Sequence, residues 1–143
     1  KASPVRADAL TWEPKHAYDA ILLDAPCTAT GTCRRHPDVL HRIGPRQIAE
    51  MVELQRALLE RAAGWLKPGG VLVYAVCSLE REEGEAQAAW VDAALGLTPA
   101  AISADELPAG LTPTPEGWVR THPGMRCEEG GLDGFFVGRW RAA

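Results

Sequence analysis

The sequence predicts an α/β domain on a mostly parallel sheet, and three observations carry that prediction. Two apolar runs, YDAILLD at 18–24 and GGVLVYAVCS at 69–78, are short and nearly continuous rather than alternating, as in parallel strands covered on both faces. The stretch between them, GPRQIAEMVELQRALLERAAGWL at 44–66, carries a single apolar stripe at helical spacing. The resulting order of strand, helix, strand, helix and late strand is that of α/β proteins.

Each element has its own justification. In the helix over 44–66 the stripe is Ile48, Met51, Val52, Leu58, Leu59, Ala62 and Leu66. Gly44 and Pro45 suit its start, because proline lacks only an N–H that the first turn leaves unpaired anyway. KPGG at 67–70 stops it and turns into the next strand. After Ser78, LEREEGEAQAAWVDAALG at 79–96 predicts a second helix. Its acidic residues crowd the first turn, where the helix dipole favours them, and Ala86, Ala89, Trp90 and Ala93 are expected to face inward. The Pro- and Gly-rich segment 97–118 reads as loop with one irregular strand, and DGFFVGRW at 133–140 as the final strand. Trp65, Trp90, Phe135 and Phe136 are expected in the core, whereas Trp12 and Trp118 have no assignment.

At 143 residues the chain is at most one ordinary domain. It has no apolar run long enough to span a bilayer, so no membrane partner is expected. Its net charge of −4 argues against coating nucleic acid over the whole surface but leaves room for a local basic patch. Neither an initiator Met nor a signal-peptide pattern opens the chain, which reads as a piece of a longer cytoplasmic protein. Cys27, Cys33, Cys77 and Cys127 form no C-x-x-C pair, so a disulfide framework is not expected. Their spacing to the histidines matches no common zinc finger or ribbon, so no metal is expected either. Cys33 and Cys127 read as small buried hydrophobes.

The chemistry gathers at two strand ends. Ligands of open α/β sheets bind beyond the carboxyl ends of the strands. Asp24, Pro26 and Cys27 lie just past one such end, and Cys77 lies at the next. If the two strands are neighbours, both thiols and the carboxylate face one crevice. Cys77 precedes the predicted helix start directly, and free amides there would favour its thiolate. Spacing alone does not choose between the thiols. No G-x-G-x-x-G turn follows a strand, so the chain holds half of a nucleotide-binding fold, and the other half is expected upstream of Lys1.

These motifs resemble those of the RNA cytosine-carbon-5 methyltransferases. LLDAPCTATG at 22–31 is similar to that family's motif IV, VYAVCSL at 73–79 to motif VI, RADAL at 6–10 to motif III, and DGFF at 133–136 to its final strand. RRHPD at 34–38 and THPGM at 121–125 bring the chain nearest the Sun-type bacterial enzymes that methylate small-subunit ribosomal RNA. Val76 stands where motif VI usually has threonine, and motif I and the N-terminal RNA-binding region are absent. The resemblance implies the carboxyl-terminal half of a Rossmann-like class I S-adenosylmethionine-dependent methyltransferase fold, a partial catalytic domain over 1–143 with an antiparallel late strand. It further implies methylation of carbon 5 of a cytosine through a covalent cysteine–cytosine intermediate. Cys77 is then the nucleophile, Cys27 assists product release, and Asp24 bonds ring nitrogen 3. Asp8, Asp24 and Pro26 are implied in S-adenosylmethionine binding, while Arg34, Arg35 and His36 lie where the RNA backbone would pass. The target base must leave its stack to reach a thiol in a crevice. Alone, the chain is expected to be inactive and to bind the cofactor poorly.

Three other readings compete. A methyltransferase acting on exocyclic amines would carry Asp/Asn-Pro-Pro-aromatic where Ala25-Pro26-Cys27 stands. A methyltransferase-like domain kept for RNA binding would need no intact thiols, and a thiol-redox role lacks C-x-x-C. For single residues the plain readings are a buried strand-end cysteine for Cys77, a solvated loop aspartate for Asp8 and a solvated charge pair for Arg34 and Arg35.

Overall fold

The computed structural model describes residues 2–143. The first apolar run forms β1 (Tyr18–Asp24), which lies parallel to the second, β2 (Leu66–Val76). Between them come the one-turn α1 (Val39–Arg42) and the long α2 (Pro45–Gly64). Gly44 caps α2 and Pro45 opens it, and the Gln47 side chain accepts the Gly44 N–H at 3.2 Å. After β2 follow α3 (Glu85–Ala94), β3 (Thr98–Pro99), β4 (Val119–Thr121) and β5 (Phe135–Arg141). Among the described residues the sheet has five strands in the order β1-β2-β5-β3, with β4 also on β5. The β1–β2 pair is parallel, and β2, β3 and β4 each run antiparallel to the late strand β5. No helix among the described residues is long and apolar enough to cross a membrane.

Strand period places the core. Leu72, Tyr74 and Val76 of β2 are buried, while Val71, Val73 and Ala75 are half-buried. The antiparallel register sets Trp140, Gly138 and Phe136 of β5 beside those three buried residues. Leu59 and Ala62 of α2 and Ala88 and Val91 of α3 complete the same cluster.

Several expectations are corrected. The strands are not covered on both faces: Leu22, in register with Val73, is 70% exposed, so an apolar run here marks a strand with one covered face. The second helix begins at Glu85 rather than just after Ser78, because residues 79–84 turn to bury Glu83. Its inward face is accordingly Gln87, Ala88 and Val91, with Ala86, Ala89 and Ala93 exposed and Trp90 half-buried under the Arg56 guanidinium. Phe136 is buried, but Phe135 points the other way along β5 and is 36% exposed, and Cys127 is exposed rather than buried. Trp65 is half-buried, packed edge-on against Trp12 at 5.4 Å, while Trp118 packs edge-on against Phe136. KPGG lies within the span of β2 as an irregularity, the register stepping from Tyr18–Leu66 to Ala20–Val71.

The tightest backbone contact joins three segments. The Gly31 N–H donates to the Cys77 carbonyl at 3.1 Å, and the Gly134 N–H donates to the Gly31 carbonyl at 2.7 Å. A Cβ at Gly31 would overlap the Gly134 carbonyl oxygen, so only glycine fits. Gly31→Ala is therefore expected to lose about 1–3 kcal/mol of unfolding free energy in urea melts, the usual cost of overfilling a packed site. Gly64→Ala, where a Cβ meets nothing within 4 Å, is expected to gain up to about 1 kcal/mol from helix propensity. Equal responses at the two glycines would contradict this packing.

Candidate active site

Parallel pairing brings the two strand ends together. Asp24 stands in register with Ala75, and the Ala25 N–H donates to the Ala75 carbonyl at 3.0 Å. The chain past β1 turns through Ala29, which takes a left-handed φ of 57°, and returns under β2 at Gly31. As a result the Cys27 and Cys77 sulfurs lie 3.5 Å apart, both half-buried. Both thiols therefore meet at neighbouring strand ends, with Asp24 and Pro26 exposed at the end of β1.

A carboxylate holds this arrangement. Glu83 is fully buried, and four donors reach its two oxygens. They are the Thr28 N–H at 2.9 Å, the Thr28 hydroxyl at 2.5 Å, the Ser78 hydroxyl at 2.5 Å and the Gln55 amide at 3.0 Å. Two oxygens with four such contacts are fully satisfied. Gln55 also donates to the Pro26 carbonyl at 3.0 Å, and Gln87 donates to Gln55 at 3.0 Å. On the far side, Arg120 donates to the Ser78 carbonyl at 2.5 Å and pairs with Glu85.

The environment of Cys27 sets its protonation. Burial pushes the Cys27 thiol up to about 12, with Cys77 and Glu83 adding to the rise and the Ala29 backbone opposing it. At neutral pH Cys27 thus keeps its proton, with its sulfur facing that of Cys77. The expected helix start beside Cys77 is not there, since α3 opens only at Glu85, so the helix dipole does not act on this thiol. Arg35 lies within electrostatic reach of Cys77. Its guanidinium is raised above its ordinary pKa chiefly by Asp133 and, more weakly, by Cys77 itself.

The remaining candidates divide. Arg35 grips Asp133 through two nitrogens, and Arg34 reaches the same carboxylate at 3.5 Å. Those contacts hold the Asp133 carboxyl below its usual range. Both arginines therefore have an intramolecular partner in the DGFF segment, while His36 is exposed beside them. Asp8 is exposed and caps its own turn, accepting the Leu10 N–H at 2.9 Å. Its neighbours Ala7 and Ala9 line a cavity with Trp12, Tyr18 and Trp65, which places Asp8 near the Tyr18 end of β1, away from the thiols. Among the described residues no cluster of His, Cys, Asp and Glu could hold a metal ion.

Sequence reasoning missed Glu83, Thr28, Ser78, Gln55 and Asp133. Glu83 was hidden in the acidic run EREEGE, which reads as helix-start charge. The available signals were the hydroxyl residue directly after each thiol and the glutamine at the 55 position of the α2 stripe.

The model of the 16S rRNA methyltransferase RsmB/F family matches residues 5–141. The chain belongs to this family. It is 47% identical over 128 residues to ribosomal RNA small subunit methyltransferase B of Klebsiella pneumoniae, covering 90% of this chain and 27% of that protein. To its Shewanella oneidensis namesake it is 39% identical over 142 residues, covering 97% and 31%. The crystal structure of NSun6 from Pyrococcus horikoshii with SFG superposes with a TM-score of 0.77 at 28% identity, covering 96% of this chain and 33% of that one. The architecture is thus the Rossmann-like methyltransferase fold expected from the sequence. The chain spans under a third of the length of these relatives.

The raised Cys27 thiol gives a pH signature. Iodoacetamide labelling of Cys27, followed by peptide mass spectrometry, is expected to stay slow at pH 8 and to accelerate only toward about pH 12. A Cys27 that labels at pH 8 as fast as exposed Cys127 would contradict this environment.

Proposed function

We propose that this chain is the thiol-bearing part of an enzyme that methylates carbon 5 of a cytosine in small-subunit ribosomal RNA. The observation that carries the reading is the pair of sulfurs 3.5 Å apart at the carboxyl ends of adjacent parallel strands, in a chain of a 16S rRNA methyltransferase family.

Carbon 5 of cytosine is a poor nucleophile, and a covalent route divides the difficulty. In this reading the Cys77 thiolate adds to carbon 6, forming a carbon–sulfur bond and moving electron density to carbon 5. Asp24, exposed at the end of β1, hydrogen-bonds ring nitrogen 3 and favours its protonation as the sulfur attacks. Once carbon 5 is methylated, a base takes its proton, the carbon–sulfur bond breaks, and Cys77 departs as thiolate. Cys27 holds its proton at neutral pH and directs it at the departing sulfur, which supports its role in product release.

S-adenosylmethionine, when bound, supplies an electrophilic methyl group. Asp24 and Pro26, exposed at the strand ends, are available to it, and the SFG of the NSun6 structure, an S-adenosylmethionine analogue, supports this cofactor. Asp8 joins them only if its turn leaves the Tyr18 end, where the structure sets it. The other cofactor contacts belong to the upstream half that we infer for the full-length protein. For RNA, His36 and the exposed flanks of Arg34 and Arg35 form the rim over which the backbone passes, at reduced net charge because Asp133 offsets one arginine.

The test uses the full-length protein, S-adenosylmethionine and target RNA carrying 5-fluorocytosine, whose fluorine blocks the final elimination. A covalent adduct is expected on a denaturing gel with wild type and Cys27→Ser, and none with Cys77→Ser. The reverse pattern would exchange the two thiols, and no adduct on a well-bound RNA would overturn the covalent reading.

A further inference from the structure

Cys27 and Cys77 are separated by fifty residues and sit on different loops, yet one buried side chain touches the residue after each of them. Thr28 follows Cys27 and Ser78 follows Cys77, and both hydroxyls reach the same Glu83 oxygen at 2.5 Å. The other Glu83 oxygen takes the Thr28 N–H and the Gln55 amide. Gln55 in turn bonds the Pro26 carbonyl, so Cys27 is anchored on both sides. Cys77 is likewise anchored on both sides of its peptide, through Gly31 to its own carbonyl and through Ser78 to Glu83.

Burying a charge is a poor route to stability, since apolar packing of equal volume often does as well or better. A fully satisfied buried network does fix one geometry. Gln87 orients Gln55 by donating to its oxygen, which leaves the Gln55 amide group aimed at Glu83.

Resting on the covalent reading above, we propose that Glu83 is a positioning residue for both thiols: through Thr28 and Ser78 it sets the separation of the Cys27 and Cys77 sulfurs and aligns attack with release. Glu83 touches neither sulfur and acts only through their neighbours. Each limb then has its own kinetic signature. The Ser78 limb governs adduct formation by Cys77, and the Thr28 limb governs the release that Cys27 assists. Because the Glu83 charge also helps keep the Cys27 proton in place, removing it lowers the pH at which Cys27 becomes reactive.

The experiment compares full-length wild type, Thr28→Val, Ser78→Ala and Glu83→Gln. Adduct formation is followed with 5-fluorocytosine RNA, and release is followed with ordinary RNA as the decay of trapped complex. Iodoacetamide labelling of Cys27 against pH is measured in parallel. A misplacement of about 1 Å costs on the order of 100-fold in rate, so a loss of about tenfold to 100-fold is expected in the step each limb controls. Ser78→Ala is expected to slow formation, Thr28→Val to slow release, and Glu83→Gln to slow both and move the Cys27 labelling profile to lower pH. A role in stability alone would lower both steps together in every variant and leave the labelling profile in place, which would overturn the proposal. So would a folded Glu83→Gln with wild-type rates and profile. If Glu83→Gln does not fold, the split between Ser78→Ala and Thr28→Val decides. A wild type without adduct contradicts the covalent reading instead, and amide exchange at Thr28 then tests the positioning role independently: faster exchange in Ser78→Ala supports it and unchanged exchange overturns it.

Discussion

The arrangement of this chain depends on one buried carboxylate. Glu83 lies between the loop after β1, the loop after β2 and the middle of α2, and it meets a donor from each. Leaving such a buried group without partners would cost about 1–3 kcal/mol or more. The three segments therefore hold their relative positions or lose the network. No buried side-chain nitrogen or oxygen among the described residues lacks a hydrogen-bond partner, so this network is complete.

The other features of the site follow from that convergence. Parallel pairing of β1 and β2 would bring the strand ends near each other in any case, but it does not set the loops beyond them. Glu83 draws the loops together from beneath, and the Gly31 contacts to Cys77 and Gly134 close them from the side. The second contact ties in β5, whose entry segment carries Asp133 and hence the Arg34 and Arg35 partners. Two thiols, a donor-rich pocket and a fixed guanidinium thus share one end of the sheet. The Cys27 thiol past β1 and the arginines after it share this end for a physical reason: Gln55 and Glu83 anchor the first loop and Asp133 holds the second.

Much of this was legible in the sequence. The strands, the long helix with its Gly44-Pro45 start and the late strand follow from apolar period and turn chemistry, and the D-A-P-C and Cys-Ser strand ends mark the candidate site. What was not legible involves polar residues at core positions. Gln55 and Gln87 occupy buried helix positions that a hydrophobic pattern assigns to apolar side chains, so the inward face of α3 was misplaced. Glu83 sits in an acidic run whose charges favour a helix start, yet its burial delays the helix to Glu85 and removes the dipole expected beside Cys77. Arg34 and Arg35 read as free charge because their partner, Asp133, is nearly a hundred residues away in sequence. Long-range polar pairing leaves no local period, and only the folded chain displays it.

The central claim is that one carboxylate couples the two thiol-bearing loops. Amide hydrogen exchange at Thr28 reports it most directly, because that N–H donates to Glu83 from the Cys27 loop, whereas Ser78 binds the same carboxylate from the Cys77 loop. The account predicts that Ser78→Ala and Glu83→Gln both speed exchange at Thr28 while the β2 amides of Leu72 and Tyr74 keep their protection. Unchanged exchange at Thr28 in both variants would contradict it.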